Sequence, residues 1–265
     1  MGHAFSAWVA WDAARRAGGR FLVRLEDIDP QRCRPAFAAA ALEDLEWLGL
    51  RWDGEVRVQS AHLDEYGAAL DSLRVRGLIY PCFCSRADIA REVAAAAGAP
   101  QGPEGPVYPG TCRGLPAEQA AARVAAGEPH AWRLDLAAAL CGVRALRFHE
   151  EGAGWVAVDA RLFGDVVLGR RDVPASYHLC VTHDDAVQGV SLVTRGEDLR
   201  AATHLHAVLQ HVMGWPTPRY AHHRLVVGAD GRRLAKRDAA DSVRGLRAAG
   251  LAPAEVLRRA GVGEH

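Results

Sequence analysis

Three cysteines and a tyrosine are spaced as ligands of a single metal ion would be. Cys82 and Cys84 are separated by one residue, and Cys112 follows at loop distance with Tyr108 four residues before it. Three thiolates leave one position open on a tetrahedral zinc ion, and the Tyr108 hydroxyl or a water molecule could fill it. Buried free cysteines would give the same residues, so the spacing alone leaves both interpretations open.

A single lysine stands out against the arginines. Lys and Arg together number 32, and only Lys236, in the basic segment 231–238, is a lysine. Where any positive charge serves, such a chain uses arginine, so this position indicates a need for a compact, mobile ammonium. On a loop after a predicted hairpin (225–227 and 233–234), it could stabilise charge on a triphosphate. A solvated basic turn with a chance lysine is the alternative.

The start of the chain could bind phosphate. Gly2 and His3 begin a predicted helix, where glycine admits a phosphate to the backbone and the free N–H groups attract anions. His3 could donate to a phosphate oxygen as charge develops. An ordinary helix start is the alternative.

Polar residues near predicted strand ends could bind an amino acid. Glu26 could hold an α-ammonium, Arg195 could bind a side-chain carboxylate with two hydrogen bonds, and the Tyr177 hydroxyl could fix the orientation. For any one of these positions taken singly, surface ion pairs at strand ends are the more common explanation. The pair His222-His223 is interpreted as a strand end without a function.

The elements that must position these residues alternate as in a parallel α/β protein. The chain begins on a helix, without the strand that normally precedes the first helix of a nucleotide-binding domain. The middle of the chain differs in character and is interpreted as an insertion. Helices are predicted at 4–16, 35–48, 63–73, 87–97, 117–126 and 199–213, with two short helices last; strands at 20–26, 179–182 and 189–194; an apolar run at 78–83; a Gly/Pro loop at 98–106; and strands and turns at 155–168.

Bulk composition excludes several classes of protein. The 265 residues are 49% hydrophobic and 24% charged with zero net charge, which is ordinary for a globular protein and neither demands nor excludes a nucleic-acid partner. Six unevenly spaced cysteines do not indicate a disulfide scaffold. Without an apolar run of spanning length or a signal peptide, we expect a cytoplasmic protein with no membrane association.

Together the ordered motifs resemble the catalytic half of a class I glutamyl-tRNA synthetase, above all the short paralogues called glutamyl-Q tRNA(Asp) synthetases. The likeness covers nearly the whole chain. Residues 2–7 resemble the end of the HIGH signature, 24–29 the R-[IL]-E-D-[IT]-D segment, 193–199 the segment with the substrate arginine, and 233–237 the KLSKR form of the KMSKS loop; Cys82, Cys84, Tyr108 and Cys112 match a zinc pattern whose fourth ligand is tyrosine.

The resemblance implies an α/β fold, namely a Rossmann-like class I catalytic domain with an inserted zinc-bearing subdomain and, in this chain, no first strand. The expected regions are 1–77 and 175–225 for the two halves of the core, 78–174 for the insertion with the zinc site, and 226–265 for the KMSKS-like loop and closing helices.

The resemblance also implies a reaction. The carboxylate of glutamate attacks the α-phosphorus of ATP, and the glutamyl group then passes to the queuosine base of tRNA(Asp). The expected partners are ATP, L-glutamate and tRNA(Asp), with one zinc ion, magnesium with ATP, and a monomeric enzyme. By the same resemblance Glu26, Tyr177 and Arg195 bind glutamate, Gly2, His3 and Lys236 bind ATP, and His3 and Lys236 are catalytic.

The length of the chain and one departure from the family bear on this expectation. Fewer than thirty residues follow residue 237, too few for an anticodon-binding domain, which argues against charging of tRNA(Glu). The family also places a strand, a turn and a further histidine before Gly2. Either the start codon is assigned too late, or the chain is short and is a catalytically impaired tRNA- or protein-binding paralogue. Another HIGH-type nucleotidyl transferase is a third hypothesis.

Overall fold

The computed structural model describes residues 1–29, 33–95, 101–170, 173, 175–226 and 242–263. Its helices are α1 (Gly2–Arg16), α2 (Pro35–Trp47), α3 (Leu63–Val75), α4 (Arg86–Ala95), α5 (Ala117–Ala125), α6 (Leu136–Ala139), α7 (Tyr177–Val187), α8 (Arg200–Met213), α9 (Val243–Ala248) and α10 (Pro253–Arg259). Its strands are β1 (Arg24–Leu25), β2 (Arg57–Val58), β3 (Ile79–Cys82), β4 (Gln101–Gly102), β5 (Gly105–Pro106), β6 (Ala131–Leu134), β7 (Arg147–Glu150), β8 (Gly154–Ala157), β9 (Val167–Gly169), β10 (Leu192–Gly196) and β11 (Arg219–His223).

The chain divides into two compact units. Unit 1 contains Met1–Gln59, Leu192–Arg200 and Ala221–His265, and unit 2 contains Ser60–Ser191 and Ala201–Tyr220. Among the described residues, no helix combines the length and the apolar character that crossing a membrane would require.

Helix α1 is the central packing element of unit 1. Its inward residues Ala4 and Phe5 are buried, and the helix packs against β10 and α10. It ends where Gly18 takes a positive φ of 61°, a conformation that glycine adopts without strain. Two apolar clusters surround it: Ala4 with Leu48, Leu50, Val243, Leu246 and Val256, and Phe5 with Val226 and Ala260.

The strand predicted at 20–26 is much shorter in the structure. Only β1 is a strand, and it pairs in parallel with the two residues of β2. Before β1, the carbonyl of Phe21 accepts from the amide of Asp53 in a loop, and the carbonyl of Val23 accepts from the amide of Arg57 at the start of β2. Among the described residues β1 pairs only with the two residues of β2, so the predicted seven-residue strand was too long.

The sheets of unit 2 are mostly antiparallel, and their antiparallel strands lie between residues 79 and 169, in the region predicted to be an insertion into the parallel core. Strand β6 lies between β3 and β9, antiparallel to both, and β7 pairs antiparallel with β8. The start of β11 pairs in parallel with β7 through Tyr220 and Glu150. Helix α3 packs on α7 and β3, and α7 packs on β9. The sheets are therefore mixed.

The strand predicted at 179–182 is wrong, because these residues lie in helix α7. The Ser176 hydroxyl caps the helix by accepting from the Leu179 amide, and every residue from His178 to Asp185 is buried. An apolar run that is buried on all sides carries no periodicity and resembles a strand. The helix ends at Val187, and Gly189 follows with a positive φ of 64°. The next predicted strand, at 189–194, accordingly begins only at Leu192.

The predicted Gly/Pro loop contains a small antiparallel hairpin, formed by β4 and β5. Gly102 is required there, because a Cβ on this residue would lie 2.4 Å from the carbonyl oxygen of Leu162. At the turn Glu104 accepts from Nε2 of His178 at 2.9 Å, and this contact lowers the pKa of the Glu104 carboxyl. The loop prediction was therefore wrong for residues 101–102 and 105–106, which are strands joined by a two-residue turn.

Other predictions hold within a residue or two. The helices predicted at 4–16, 35–48, 117–126 and 199–213 match α1, α2, α5 and α8, and two short helices, α9 and α10, lie near the end. The hairpin predicted at 225–227 and 233–234, with Lys236 after it, lies largely outside the described residues.

A buried tyrosine–aspartate contact in unit 2 gives a stability prediction. The Tyr66 hydroxyl lies 2.9 Å from both carboxyl oxygens of Asp184, and both residues are fully buried. The substitution Tyr66→Phe removes a donor from a buried carboxyl group, and we expect a loss of about 2 kcal/mol in unfolding free energy. Urea unfolding monitored by circular dichroism measures this loss.

Tyr220→Phe is the matched control. Tyr220 is equally buried, but its hydroxyl accepts from the neutral amide of Gln210 at 2.8 Å. This control should cost only about 1 kcal/mol, the value typical of a neutral hydrogen bond. Equal costs for the two substitutions would contradict a special role of the Tyr66–Asp184 contact.

Candidate active site and metal centre

The structure brings the three predicted cysteine ligands together in unit 2. Cys82 ends β3, Cys84 follows two residues later, and Cys112 lies in a 3-10 turn, Thr111–Gly114. Their Sγ atoms lie within 4.8 Å of one another, and those of Cys84 and Cys112 are 3.4 Å apart. The cluster could hold one metal ion.

Tyr108 completes the cluster. Its Oη atom lies 3.4 Å from Sγ of Cys82 and 3.5 Å from Sγ of Cys84. In a tetrahedral site, zinc bond lengths give S–O edges of about 3.5 Å and S–S edges of about 3.8 Å. The two Oη–Sγ distances and the 3.4 Å between the Sγ atoms of Cys84 and Cys112 lie within a few tenths of an ångström of these edges. The amide of Cys112 donates to the same Oη at 2.9 Å, which holds the oxygen in place.

Without a cation, two of the four side chains, Cys84 and Tyr108, resist deprotonation. Burial raises the pKa of the Cys84 thiol to about 12, and burial with the neighbouring thiols raises the pKa of the Tyr108 hydroxyl. At Cys112 burial also raises the pKa, but hydrogen bonds from Tyr108 and from the Phe83 amide outweigh it and the pKa is lowered. A bound divalent ion favours the deprotonated form of thiol and phenol ligands, because its positive charge stabilises the anions.

An arginine lies over the ring of the tyrosine in this cluster. The guanidinium carbon of Arg133 is 3.9 Å from the Tyr108 ring centroid, and Arg133 also donates to the carbonyl of Asp165. Asp165 is buried and accepts in addition from Tyr80 and Arg113. This network fixes the backbone on both sides of the cysteines.

In unit 1 the predicted ATP-binding residues lie at the start of α1. Met1 is the N-cap residue, Gly2 begins the helix, and His3 is exposed. A Cβ added to Gly2 would meet no atom within 4 Å, so packing in the structure does not require glycine at this position. A glycine at this position is instead explained by the close approach of a ligand to the backbone. Lys236 lies outside the described residues.

The predicted glutamate-binding residues lie on several elements. Arg195 is 9% exposed on β10, within unit 1, and α1 packs against this strand. Glu26 follows β1 in unit 1, with its side chain 42% exposed and 3.5 Å from Arg24. Tyr177 is the first residue of α7 in unit 2, where its ring meets His178 and His206 edge-on or tilted. The structure thus brings the strand of Arg195 to the helix of Gly2 and His3.

Sequence reasoning missed two histidines at the end of β11. Nε of Arg195 donates to Nε2 of His222 at 3.2 Å, and Nε2 of His223 lies 2.7 Å from the Ser6 hydroxyl of α1. The interpretation of this pair as a strand end is confirmed, but its contacts were not predicted. The available signal was the adjacent His222-His223 pair at the end of a strand, a place where ligand-binding residues often lie.

Comparison with known proteins agrees with these observations. The sequence model described as "tRNA synthetases class I (E and Q), catalytic domain" matches residues 1–264. A Rhodobacter capsulatus protein named glutamyl-Q tRNA(Asp) synthetase is 48% identical to this chain, covering 99% of this chain and 95% of its own length. A protein of the same name from Symbiobacterium thermophilum is 42% identical, covering 97% and 80%.

A solved structure agrees as well. The crystal structure of a glutamate tRNA ligase from Elizabethkingia meningosepticum, in complex with its amino acid, superposes with a TM-score of 0.71 at 25% identity. It covers 89% of this chain, which spans 48% of that longer protein. The chain therefore belongs to the class I tRNA synthetases of the glutamate and glutamine group, alongside the relatives named glutamyl-Q tRNA(Asp) synthetase.

Proposed function

We propose that this ligase-type enzyme activates L-glutamate with ATP and transfers the glutamyl group to the queuosine base of tRNA(Asp). The observation that carries the proposal is the match over nearly the whole chain to relatives named glutamyl-Q tRNA(Asp) synthetase. These names favour an enzyme over a non-catalytic tRNA- or protein-binding module, and they favour glutamate over the substrates of other HIGH-type transferases.

The proposed reaction has two balanced steps. A carboxylate oxygen of glutamate attacks the α-phosphorus of ATP, the bond to the β-phosphate oxygen breaks, and pyrophosphate leaves. A nucleophilic group of the queuosine base then attacks the acyl carbon of glutamyl-adenylate and displaces AMP. Neither step requires redox chemistry, so catalysis depends on positioning and on stabilising charge.

In unit 1, α1 and β10 would position both substrates of the first step. The start of α1, with Gly2 and His3, would receive phosphate oxygens, because the helix N-terminus carries partial positive charge. Arg195 on the adjacent strand would bind the side-chain carboxylate of glutamate, and Glu26 the α-ammonium. The contact between α1 and β10 supports this pairing.

The remaining predicted residues would act with these. The Tyr177 hydroxyl would orient glutamate, and Lys236 would stabilise charge on the phosphates during adenylation. Magnesium would accompany ATP and neutralise part of its charge.

Zinc is the ion that we propose for the cluster of Cys82, Cys84, Tyr108 and Cys112. All four tetrahedral positions would be filled by side chains, as in structural zinc sites, so no position remains for substrate. Bound there, zinc would supply a cross-link between the end of β3 and the turn at Thr111–Gly114, within unit 2.

Exchange of labelled pyrophosphate into ATP tests the activation step. We expect glutamate-dependent exchange in the absence of tRNA. Arg195→Ala should raise the KM for glutamate about 100-fold, because two hydrogen bonds to a carboxylate are lost. Lys236→Ala should lower kcat and leave that KM nearly unchanged.

The control for these variants is Arg258→Ala, an exposed arginine of α10 that pairs with Glu255. It should leave all kinetic constants unchanged. If the unsubstituted protein exchanges pyrophosphate with glutamine or aspartate but not with glutamate, the proposed substrate is wrong. An unchanged kcat in Lys236→Ala would refute the role of that lysine.

Metal analysis tests the zinc site. Protein purified without added metal should contain about one zinc ion per chain, and Cys112→Ala should contain almost none. Tyr108→Phe should keep three ligands and still bind zinc. The chelator concentration that removes its zinc should be about tenfold lower than for the unsubstituted protein, because an anionic oxygen ligand is lost.

Cys141→Ala, which removes an exposed free thiol, is the matched control and should keep the full zinc content. A zinc content in Cys112→Ala equal to that of the unsubstituted protein would exclude the cluster as the site. Equal chelator sensitivity in Tyr108→Phe would leave three cysteines as ligands and exclude the tyrosine.

A further inference from the structure

A histidine on a neighbouring strand holds the guanidinium of Arg195. Strands β10 and β11 are hydrogen-bonded neighbours. Arg195 lies on β10 and His222 on β11. The Nε atom of Arg195 donates to Nε2 of His222 at 3.2 Å, and Arg195 is buried. Sequence analysis gave His222 no role, and the proposed reaction does not use it. The contact lies within unit 1.

The chemistry of the two side chains fixes the protonation of His222. Arginine keeps its proton at every physiological pH and can only donate. Nε2 of His222 must therefore carry a lone pair, which requires a neutral ring protonated at Nδ1. Unlike a carboxylate, a neutral imidazole can orient a guanidinium without adding negative charge beside it. The His222 contact thus orients Arg195 while preserving its attraction for an anionic ligand.

The next residue anchors the strand that carries this acceptor. Successive side chains of a strand point to opposite faces. His223 accordingly meets α1, where its Nε2 lies 2.7 Å from the Ser6 hydroxyl and its ring packs edge-on against Phe5. The end of β11 is therefore held on its second side, and His222 has a fixed support. A positioning residue that is itself held in place keeps the binding side chain close to the geometry that substrate binding requires.

We infer that His222 is a positioning residue, which holds the guanidinium of Arg195 in the plane that receives the side-chain carboxylate of the amino-acid substrate. The inference rests on the proposed function, because Arg195 binds that carboxylate only if the enzyme activates glutamate. His222 itself need not touch the substrate.

Glutamate-dependent pyrophosphate exchange by the full chain tests the inference. His222→Ala should raise the KM for glutamate about tenfold, the change expected when a hydrogen bond to a charged group is lost. The KM for ATP should change less than about twofold, since that substrate does not depend on this hydrogen bond. His222→Gln offers an amide oxygen near the position of Nε2 and should restore the KM for glutamate to within about threefold of the original.

Coupling to Arg195 separates positioning from general damage. Arg195→Lys keeps the charge but lacks the Nε donor, so in that background His222→Ala should change the KM for glutamate less than about twofold. His211→Ala, at the exposed end of α8, is the control for loss of a histidine and should leave both KM values unchanged.

Several outcomes would overturn the inference. They are an unchanged KM for glutamate in His222→Ala, equal rises in both KM values, or a full tenfold effect in the Arg195→Lys background. If the alanine variant does not fold, His222→Phe replaces it, because phenylalanine keeps a planar ring without an acceptor. The same rise in the KM for glutamate is then expected, and the same results would overturn the inference. A complete lack of glutamate-dependent exchange in the unsubstituted protein would instead overturn the proposed function, and the inference with it.

Discussion

The positive charge of Arg195, buried on β10, is the constraint on which the candidate site depends. A guanidinium cannot lose its charge, so a fold that buries one must supply acceptors at fixed positions. Strand β11 supplies His222 at 3.2 Å, and its next residue, His223, meets Ser6 of α1. One short strand therefore supports both the arginine proposed for glutamate and the helix proposed for ATP.

The metal cluster obeys a separate constraint. Three cysteine sulfurs lie within 4.8 Å of one another, and the phenolic oxygen of Tyr108 lies 3.4 Å and 3.5 Å from two of them, close to the S–O edge of a zinc tetrahedron. A site with four protein ligands has no open position, so its contribution would be to stability. The residues proposed for ATP and for the glutamate carboxylate, Gly2, His3 and Arg195, belong to unit 1, whereas the cluster lies in unit 2. Loss of zinc should accordingly impair the folding of unit 2 first.

The sequence predicted those parts whose signal is local. Helix α3 buries Tyr66, Leu70 and Leu73 on one face and exposes Asp71 on another, and that difference leaves a period of 3.6 residues. Helix α7 is buried throughout from His178 to Asp185, so it carries no period and was mistaken for a strand. The hairpin around Glu104 has the composition of a loop because Gly102 must approach a carbonyl closely. The partnership of Arg195 and His222 spans 27 residues of sequence and exists only once two strands pair.

Transfer of labelled glutamate to tRNA(Asp) tests the central claim most directly. With ATP present, two samples of the same tRNA would be compared, one that carries queuosine at the wobble position and one that carries unmodified guanine. The account predicts about one glutamate per tRNA on the first, in a linkage confined to the modified nucleoside, and none on the second. Equal labelling of both samples, or labelling at the tRNA 3′ end, would contradict the proposed acceptor and indicate ordinary aminoacylation.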